Sequence, residues 1–223
     1  VRLDVATPEG FAEGDTVLLI QMQGAWTDTL DRQTYGLTAD PLSAGHFEYT
    51  TLRRITGNTF ELANQLERSY DVSGAVQLVR VPQYGDVTFD RPLTAPAWNG
   101  ETGGVLAFEA TGTVTLAGGI ELAGRGFRGG APSANAGALT ACTRSGFVFP
   151  PNSEVSGGKG EGYTQIGYGR HGNAPEGNGG GGGNSRLAGG AGGANAGSGG
   201  NGGFEVSTCS RNAGQTRGWA GRA

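Results

Sequence analysis

A glycine-rich tract between residues 176 and 203 constrains the fold of this chain more than any other feature. It reads EGNGGGGGNSRLAGGAGGANAGSGGNGG. Glycine has more backbone freedom to lose on folding than any other residue, so such tracts are typical of flexible tethers. A period of three indicates an ordered alternative, because five glycines share one register: Gly177, Gly180, Gly183, Gly189 and Gly192.

Three residues per turn is the period of the polyproline-II helix, which makes no internal hydrogen bonds. A single glycine helix would leave its N–H and C=O groups to water. A bundle allows neighbouring backbones to approach and pair wherever the residue is glycine. Collagen is excluded because long Gly-X-Y runs are absent and proline is scarce. We therefore interpret the tract as ordered scaffold, built from short glycine helices packed side by side.

Glycine and charge both change along the chain. Of 45 glycines in 223 residues, 31 lie between Gly124 and Ala223. Residues 1–120 carry seven basic and fifteen acidic side chains, whereas residues 121–223 carry nine basic and five acidic ones. Neither part has a run of Lys or Arg that would indicate nucleic-acid binding. These shifts predict three domains: a β domain over 1–85, a short-strand section over 86–123 and a glycine-rich domain over 124–223.

The first 85 residues have the pattern of short strands separated by polar turns. TVLLIQM (Thr16–Met22) is an apolar run of strand length, and AVQLVRVPQY (Ala75–Tyr84) alternates until its proline. HFEYTTLRRI (His46–Ile55) and TFEL (Thr59–Leu62) flank TGN, which predicts a tight turn. About five strands without a convincing helix favour a small closed β-barrel or a sandwich.

Three shorter strands are predicted over 104–110, 113–116 and 119–122. They fit either a meander or the first rungs of a solenoid, and their shortness favours a sheet that leads into the glycine-rich domain. The fold class predicted for the whole chain is therefore mostly β with essentially no α-helix. It consists of a small barrel or sandwich, a short β-sheet section and a glycine-rich bundle of polyproline-II-type helices.

Glycine motifs in this chain do not match the contexts that bind nucleotides. GRGFRG (Gly124–Gly129) has the spacing G-x-G-x-x-G, but no amphipathic helix follows it and the next acidic residue is Glu154. GGKGEG (Gly157–Gly162) lacks the order of a P-loop. Its lysine, Lys159, is the only one in the chain, and we expect it to form a local ion pair with Glu161 on a turn.

No catalytic or metal-binding set emerges from the sequence. His46 and His171 have no triad or metal-ligand spacing with other residues. The acidic pairs Asp28/Asp31 and Asp86/Asp90 fall in predicted turns, where carboxylates usually cap backbone N–H groups. A D-x-D-x-D-G calcium loop is absent. We therefore expect no catalytic residue, metal or cofactor.

Two cysteines, Cys142 and Cys209, flank the glycine-rich tract. They fit either two free thiols or a disulfide that closes the intervening loop. A disulfide would add about 4 kcal/mol in the chain-entropy treatment, and it would indicate an oxidising, extracellular setting. No apolar run reaches the ~18 residues of a membrane span. The first residues have no signal-peptide pattern and the last have no stop signal, so we expect a processed or trimmed fragment.

The succession of motifs resembles a known family. GDTVLLIQMQGAW, YDVSGAVQLVRVPQY, TAPAWNGETGGVLAFEA, GRGFRGG, GGKGEG and NGGGGGN follow one another in order. This series resembles the glycine-rich N-terminal modules of large secreted, cell-surface proteins of bacteria, which are adhesin-like or associated with gliding and secretion. The resemblance implies a secreted or cell-surface location and a structural role. It carries over no catalytic residues.

These observations predict a non-enzymatic extracellular structural or adhesive protein, with a subunit of a surface filament as one form of that role. Its partners would be further copies of itself or other surface proteins. The alternative is a glycan- or receptor-binding adhesin tip, in which Trp26, Trp98 and Trp219 stack on the ligand. Ice binding would need an ordered array of threonines that the sequence lacks. An enzyme is the least favoured class.

Overall fold

The structure of the chain, a computed structural model, describes residues 1–133, 146–151, 153, 156–164, 169–184, 188–195, 197–203 and 217–222. The chain forms two compact units. The first contains Val1–Met22 and Gly45–Gly126, and the second contains Gln23–Ala44 and Phe127–Ala223. The segment 23–44 thus leaves the first unit after its second strand and belongs to the glycine-rich unit. The three-domain division over 1–85, 86–123 and 124–223 stays a prediction.

Short β-strands are the main regular elements of the described residues. One 3-10 turn, Val72–Gly74, is the only helix among them, so the predicted mostly-β class without α-helix is confirmed there. A three-residue turn has neither the length nor the apolar character of a membrane span. The strands are β1 Arg2–Asp4, β2 Thr16–Gln21, β3 Trp26–Thr27, β4 Thr38–Asp40, β5 Phe47–Thr56, β6 Thr59–Leu62, β7 Val76–Arg80, β8 Gln83–Tyr84, β9 Val87–Thr88, β10 Glu109–Ala110 and β11 Val114–Thr115.

Five antiparallel strands form the main sheet of the first unit in the order β1-β6-β5-β2-β7. The apolar run that predicted β2 places this strand between β5 and β7. The hydrophobic core of the first unit consists of Val17, Leu52, Phe60 and Leu62. The hairpin between β5 and β6 turns at Gly57, whose φ is +58°, as the TGN signal predicts. The predicted strands around these residues are therefore confirmed.

The main sheet is open, so the predicted barrel is wrong. Closing a barrel requires the two edge strands to pair, but β1 pairs with β6 and β7 pairs with β2. Pro82 gives the physical reason at the β7 edge, because proline has no N–H to donate to a ladder. Its carbonyl oxygen instead accepts from Glu109 N–H at 2.9 Å, and the chain passes into a different ladder.

Residues 82–98 and 109–125 run parallel to each other, and we call them the first coil and the second coil. Their partners Gln83–Glu109, Val87–Val114 and Leu93–Ile120 are 26 or 27 residues apart. A nearly constant spacing between parallel partners is typical of consecutive coils of a solenoid. The three short strands predicted between residues 104 and 122 pair with the first coil and not with one another. The solenoid alternative therefore describes this section better than a meander.

The run Gly179–Gly183 lies buried in the glycine-rich unit, with backbone on three sides. A Cβ atom added at any of its five positions would collide with a carbonyl oxygen. Positions three apart face the same neighbouring segment: Gly179 faces Gly160 and Gly182 faces Gly157, Gly180 faces Ala191 and Gly183 faces Ala188, and Gly181 faces Asn173. The period of three noted in the sequence therefore corresponds to three neighbouring stretches of backbone.

Hydrogen bonds between these segments repeat the same period. Four backbone bonds of 2.7 to 3.0 Å come in two pairs, each with partners three residues apart: Gly157 to Gly183, Gly160 to Gly180, Gly189 to Gly203 and Gly192 to Gly200. Buried backbone groups must be paired, and here the pairs form between segments. The glycine tract is thus an ordered part of the fold wherever the structure describes it.

We predict that Gly182→Ala lowers the free energy of unfolding of the second unit by about 3 kcal/mol, because its Cβ would overlap the Gly157 carbonyl group. Gly200→Ala is the matched control, since nothing lies within 4 Å of its added Cβ. The control should change stability by less than about 1 kcal/mol. Urea unfolding monitored by hydrogen–deuterium exchange of peptides over 171–184 measures both. Equal effects of the two substitutions would contradict this account of the packing.

Candidate functional site

Lys159 is the centre of a buried polar cluster in the glycine-rich unit, with 1% of its surface exposed. Its Nζ donates to the carbonyl oxygens of Phe147 at 2.8 Å, Gly172 at 3.2 Å and Ala174. An ammonium group has three donors, and each of these three meets a carbonyl oxygen. The side chain therefore joins the segment 146–151 to the segment 171–174.

Tyr35 connects this lysine to a buried carboxylate. Its ring centroid lies 4.5 Å from Lys159 Nζ, within the range of a cation–π interaction. Its hydroxyl donates to Glu176 Oε1 at 2.9 Å, and both residues are at least 98% buried. No direct ion pair joins Lys159 to Glu176. The order of contacts is therefore ammonium, aromatic ring, hydroxyl and carboxylate.

Gly36 allows Tyr35 to reach this position. Its φ is +72°, and an added Cβ would overlap the carbonyl group of Pro175. Gly36 also accepts a backbone hydrogen bond of 3.0 Å from Gly177. A left-handed conformation with so close an approach admits only glycine at low cost. The segment 23–44 is thereby fastened to the buried segment that carries Glu176.

Burial controls the protonation of the cluster. It lowers the pKa of Lys159, and the negative charges of Glu176 and Asp31 partly offset this shift. Burial raises the pKa of Glu176, and the Tyr35 hydroxyl and the positive charge of Lys159 counteract it. Burial likewise raises the pKa of Tyr35, and the nearby Glu176 raises it further. Three carbonyl acceptors and an aromatic face favour the charged ammonium over the neutral amine.

Arg128 and Glu161 form a direct ion pair in the same unit. Arg128 donates from Nε and Nη2 to the two carboxylate oxygens of Glu161 at 2.9 and 3.0 Å. The Glu161 side chain is 3% exposed, and its backbone N–H donates to Arg128 O at 2.8 Å. The expected ion pair between Lys159 and Glu161 is therefore wrong. Glu161 pairs with Arg128 instead, and the Lys159 ammonium is occupied by three backbone carbonyl oxygens.

The two histidines and Asp31 form hydrogen bonds with backbone groups of other segments. His171 is buried with Nδ1 2.6 Å from Ser156 O, and His46 Nδ1 lies 3.0 Å from Ser69 O. Asp31 accepts from the backbone N–H groups of Phe147 and Val148 at 2.5 and 3.2 Å, which is the capping role expected of a turn carboxylate. Within the described ranges, no three His, Cys, Asp or Glu side chains group as a metal site would require.

The three tryptophans proposed to stack on a ligand have different surroundings. Trp26 on β3 is 59% exposed, and Trp98 is 4% exposed. Trp219 packs against Phe147 with ring centroids 5.2 Å apart. Exposure therefore makes Trp26 the most accessible of the three, and the stacking role itself stays a prediction. Cys142 and Cys209, with the predicted disulfide, lie outside the described residues.

The Lys159 cluster was not predicted from the sequence. The one available signal was that a single lysine stands among glycines in a chain with 15 arginines. An ammonium has three donors, so a buried lysine can bind several backbone carbonyl groups at once. The partners Tyr35 and Glu176 could not be inferred, because 141 residues separate them. The cluster is enclosed and its polar groups bind one another or the backbone, so we interpret it as a structural cluster that holds chain segments together.

Comparisons with protein families, with curated proteins and with solved structures find no match to this chain.

We predict that Lys159→Met lowers the free energy of unfolding of the second unit by about 3 to 5 kcal/mol, because it leaves three buried carbonyl groups and a buried carboxylate without their cation. Arg32→Met is the control in the same unit, since its side chain is 59% exposed and pairs with Asp28 at the surface. That change should cost less than about 1 kcal/mol. Urea unfolding measures both variants. A loss of stability for Lys159→Met as small as that of Arg32→Met would contradict the structural role of the cluster.

Glu176 should make stability depend on pH. Burial raises its pKa above the ordinary value of 4.5 in the folded chain. The stability that the protonated carboxyl group provides is therefore fully present below pH 4.5 and is lost as pH rises through the folded pKa. We expect Glu176→Gln to abolish this loss, because the amide does not ionise while its oxygen still accepts from Tyr35. The measurement is the urea midpoint of both proteins from pH 4 to 8. Parallel pH profiles would assign the dependence to another group.

Proposed function

We propose that this chain is a non-enzymatic structural or adhesive protein of the cell exterior and that it acts as a subunit of a surface filament. In this proposal the second unit is a bundle of polyproline-II-type glycine helices. The observation that carries it is the run Gly179–Gly183, which is enclosed by backbone on three sides with a period of three. A body built in this way has little freedom to deform, which suits a load-bearing or spacing role.

The composition of the buried residues supports the same role. The described part of the glycine-rich unit buries few large apolar side chains, and Tyr35 is the largest of them. Its interior instead contains polar side chains that are held by hydrogen bonds, including Lys159, Glu161 and Glu176. Hydrogen bonds fix directions, whereas apolar burial does not. Such an interior favours rigidity, and its charged groups are already engaged inside the protein.

The second coil supports addition of another chain. Four of its apolar side chains are 37% to 51% exposed: Val114, Leu116, Ile120 and Leu122. Its strands β10 and β11 pair with the first coil on one side. An exposed strand edge with apolar side chains is a template for pairing with a further strand. The main sheet also ends in the short edge strand β1.

We expect the purified chain to form long regular polymers as its concentration rises, and we expect Ile120→Glu to prevent this. A charge at a side chain that is 51% exposed should leave the fold intact but block strand addition. Sedimentation across a concentration series, with negative-stain images of the same samples, measures the outcome.

Val72→Glu is the matched control, because Val72 is an 88% exposed apolar residue of the same unit outside both coils. It should polymerise like the unaltered chain. A chain that remains monomeric at high concentration would remove the filament from the proposal. Polymers that form equally well with Ile120→Glu would move the contact away from the second coil.

The second candidate is a glycan- or receptor-binding module at the tip of an adhesin. Trp26 is the observation that favours it, because a 59% exposed tryptophan offers an apolar face to solvent. Aromatic rings of this kind are common anchors in binding sites. In this case the glycine-rich unit would act as the rigid support of the binding surface. The two candidates share the exterior location and differ in whether the main partner is another copy or a glycan.

A further inference from the structure

A polar cleft of about 300 Å³ lies on the outer face of the main sheet. Its lining residues are Arg2, Arg54, Thr56, Thr59 and Glu61. They come from three neighbouring strands, because Arg2 in β1 and Arg54 in β5 both pair with Glu61 in β6. Phe60 and Leu62, which alternate with Glu61 along β6, are buried in the core. The cleft therefore belongs to the face of the sheet that carries no core residues.

The cleft concentrates positive charge in an acidic unit. The first unit has seven basic and thirteen acidic residues, and three of the seven, Arg2, Arg53 and Arg54, surround one glutamate. Arg53 Nη2 lies 3.4 Å from Glu61 Oε1. In the described part of the chain, the side chains of Arg2 and Arg54 make neither an ion pair nor a hydrogen bond. Two guanidinium groups are therefore available to a ligand.

The lining chemistry selects a class of ligand. Guanidinium groups bind carboxylates through two parallel hydrogen bonds. The Thr56 hydroxyl can donate or accept, whereas the Thr59 hydroxyl donates to Asp4 Oδ1 at 2.9 Å and can still accept. The carboxylate of Glu61 accepts hydrogen bonds only. A ligand with one negative charge and several hydroxyl groups satisfies both sets. A multiply charged anion such as phosphate is disfavoured, because Glu61 would repel it.

We propose that this cleft binds a carboxylate-bearing sugar, such as a hexuronate residue of an acidic polysaccharide. The carboxylate lies between Arg2 and Arg54, and the sugar hydroxyls face Glu61 and the threonines. The volume is at the lower end of the range for small-molecule sites, which suits one sugar residue in an open cleft. The cleft belongs to the first unit, whereas Trp26 of the glycan-binding candidate belongs to the second, so the inference adds a separate site and does not depend on self-association.

The test is calorimetric titration of the full chain with a tetrameric oligohexuronate and with a neutral oligohexose of the same length. The acidic oligomer should bind and the neutral one should not. Arg54→Gln should weaken binding about tenfold or more, since it removes a charge-assisted pair. Arg91→Gln is the matched control, because Arg91 is an exposed arginine of the same unit outside the cleft. It should bind like the unaltered chain.

Three results would overturn the proposal: absence of binding, equal binding of the neutral oligomer, or equal losses in Arg54→Gln and Arg91→Gln. Competition by inorganic phosphate at the same concentration as the acidic sugar would likewise overturn the proposal, because the cleft would then be a general anion site.

Arg54→Lys keeps the positive charge but loses the planar pair of guanidinium donors, so it should retain part of the affinity. Circular dichroism checks the fold of each variant. Sedimentation of Arg54→Gln should match the unaltered chain, which keeps a failed cleft distinct from a failed filament.

Discussion

The close approach of backbone to the run Gly179–Gly183 is the constraint on which the glycine-rich unit depends. A side chain at any of these five positions would displace a neighbouring carbonyl group. Once the side chains are absent, backbone donors and acceptors of different segments come within hydrogen-bond distance. Apolar burial is usually the main favourable term in folding. It is small in this unit, where paired backbone groups fill the interior.

Buried charge complements this packing. Lys159 donates to the carbonyl oxygens of Phe147, Gly172 and Ala174, so one ammonium joins the two chain segments that carry them. Tyr35 then links the ammonium to Glu176 from a segment that enters the unit from far away in sequence. Removing the ammonium would leave the buried Glu176 carboxylate without a nearby cation, which is costlier than the loss of a surface ion pair. The cluster therefore fixes the arrangement of segments that glycine alone would leave loosely specified.

Local patterns predicted the strands of the main sheet well. The apolar run at Thr16–Gln21 and the turn at Gly57 depend on neighbours within a few residues. The predicted barrel failed because closure depends on the two edges, and no local pattern records whether distant edges meet. The parallel coils were left as one of two alternatives for a similar reason, since their partners are 26 or 27 residues apart. Of the candidate sites, neither the Lys159 cluster nor the arginine cleft was predicted.

The sequence by itself determined a β-rich fold, without α-helix in the residues that the structure describes, and a glycine tract whose period of three requires close neighbours. These properties follow from backbone freedom and alternation, which are local. Only the tertiary structure decided that Lys159 is buried against carbonyl groups, that Glu161 pairs with Arg128, and that 23–44 belongs to the glycine-rich unit. The physical reason is that a charge acquires its role from whatever surrounds it, and chain segments far apart in sequence supply those surroundings.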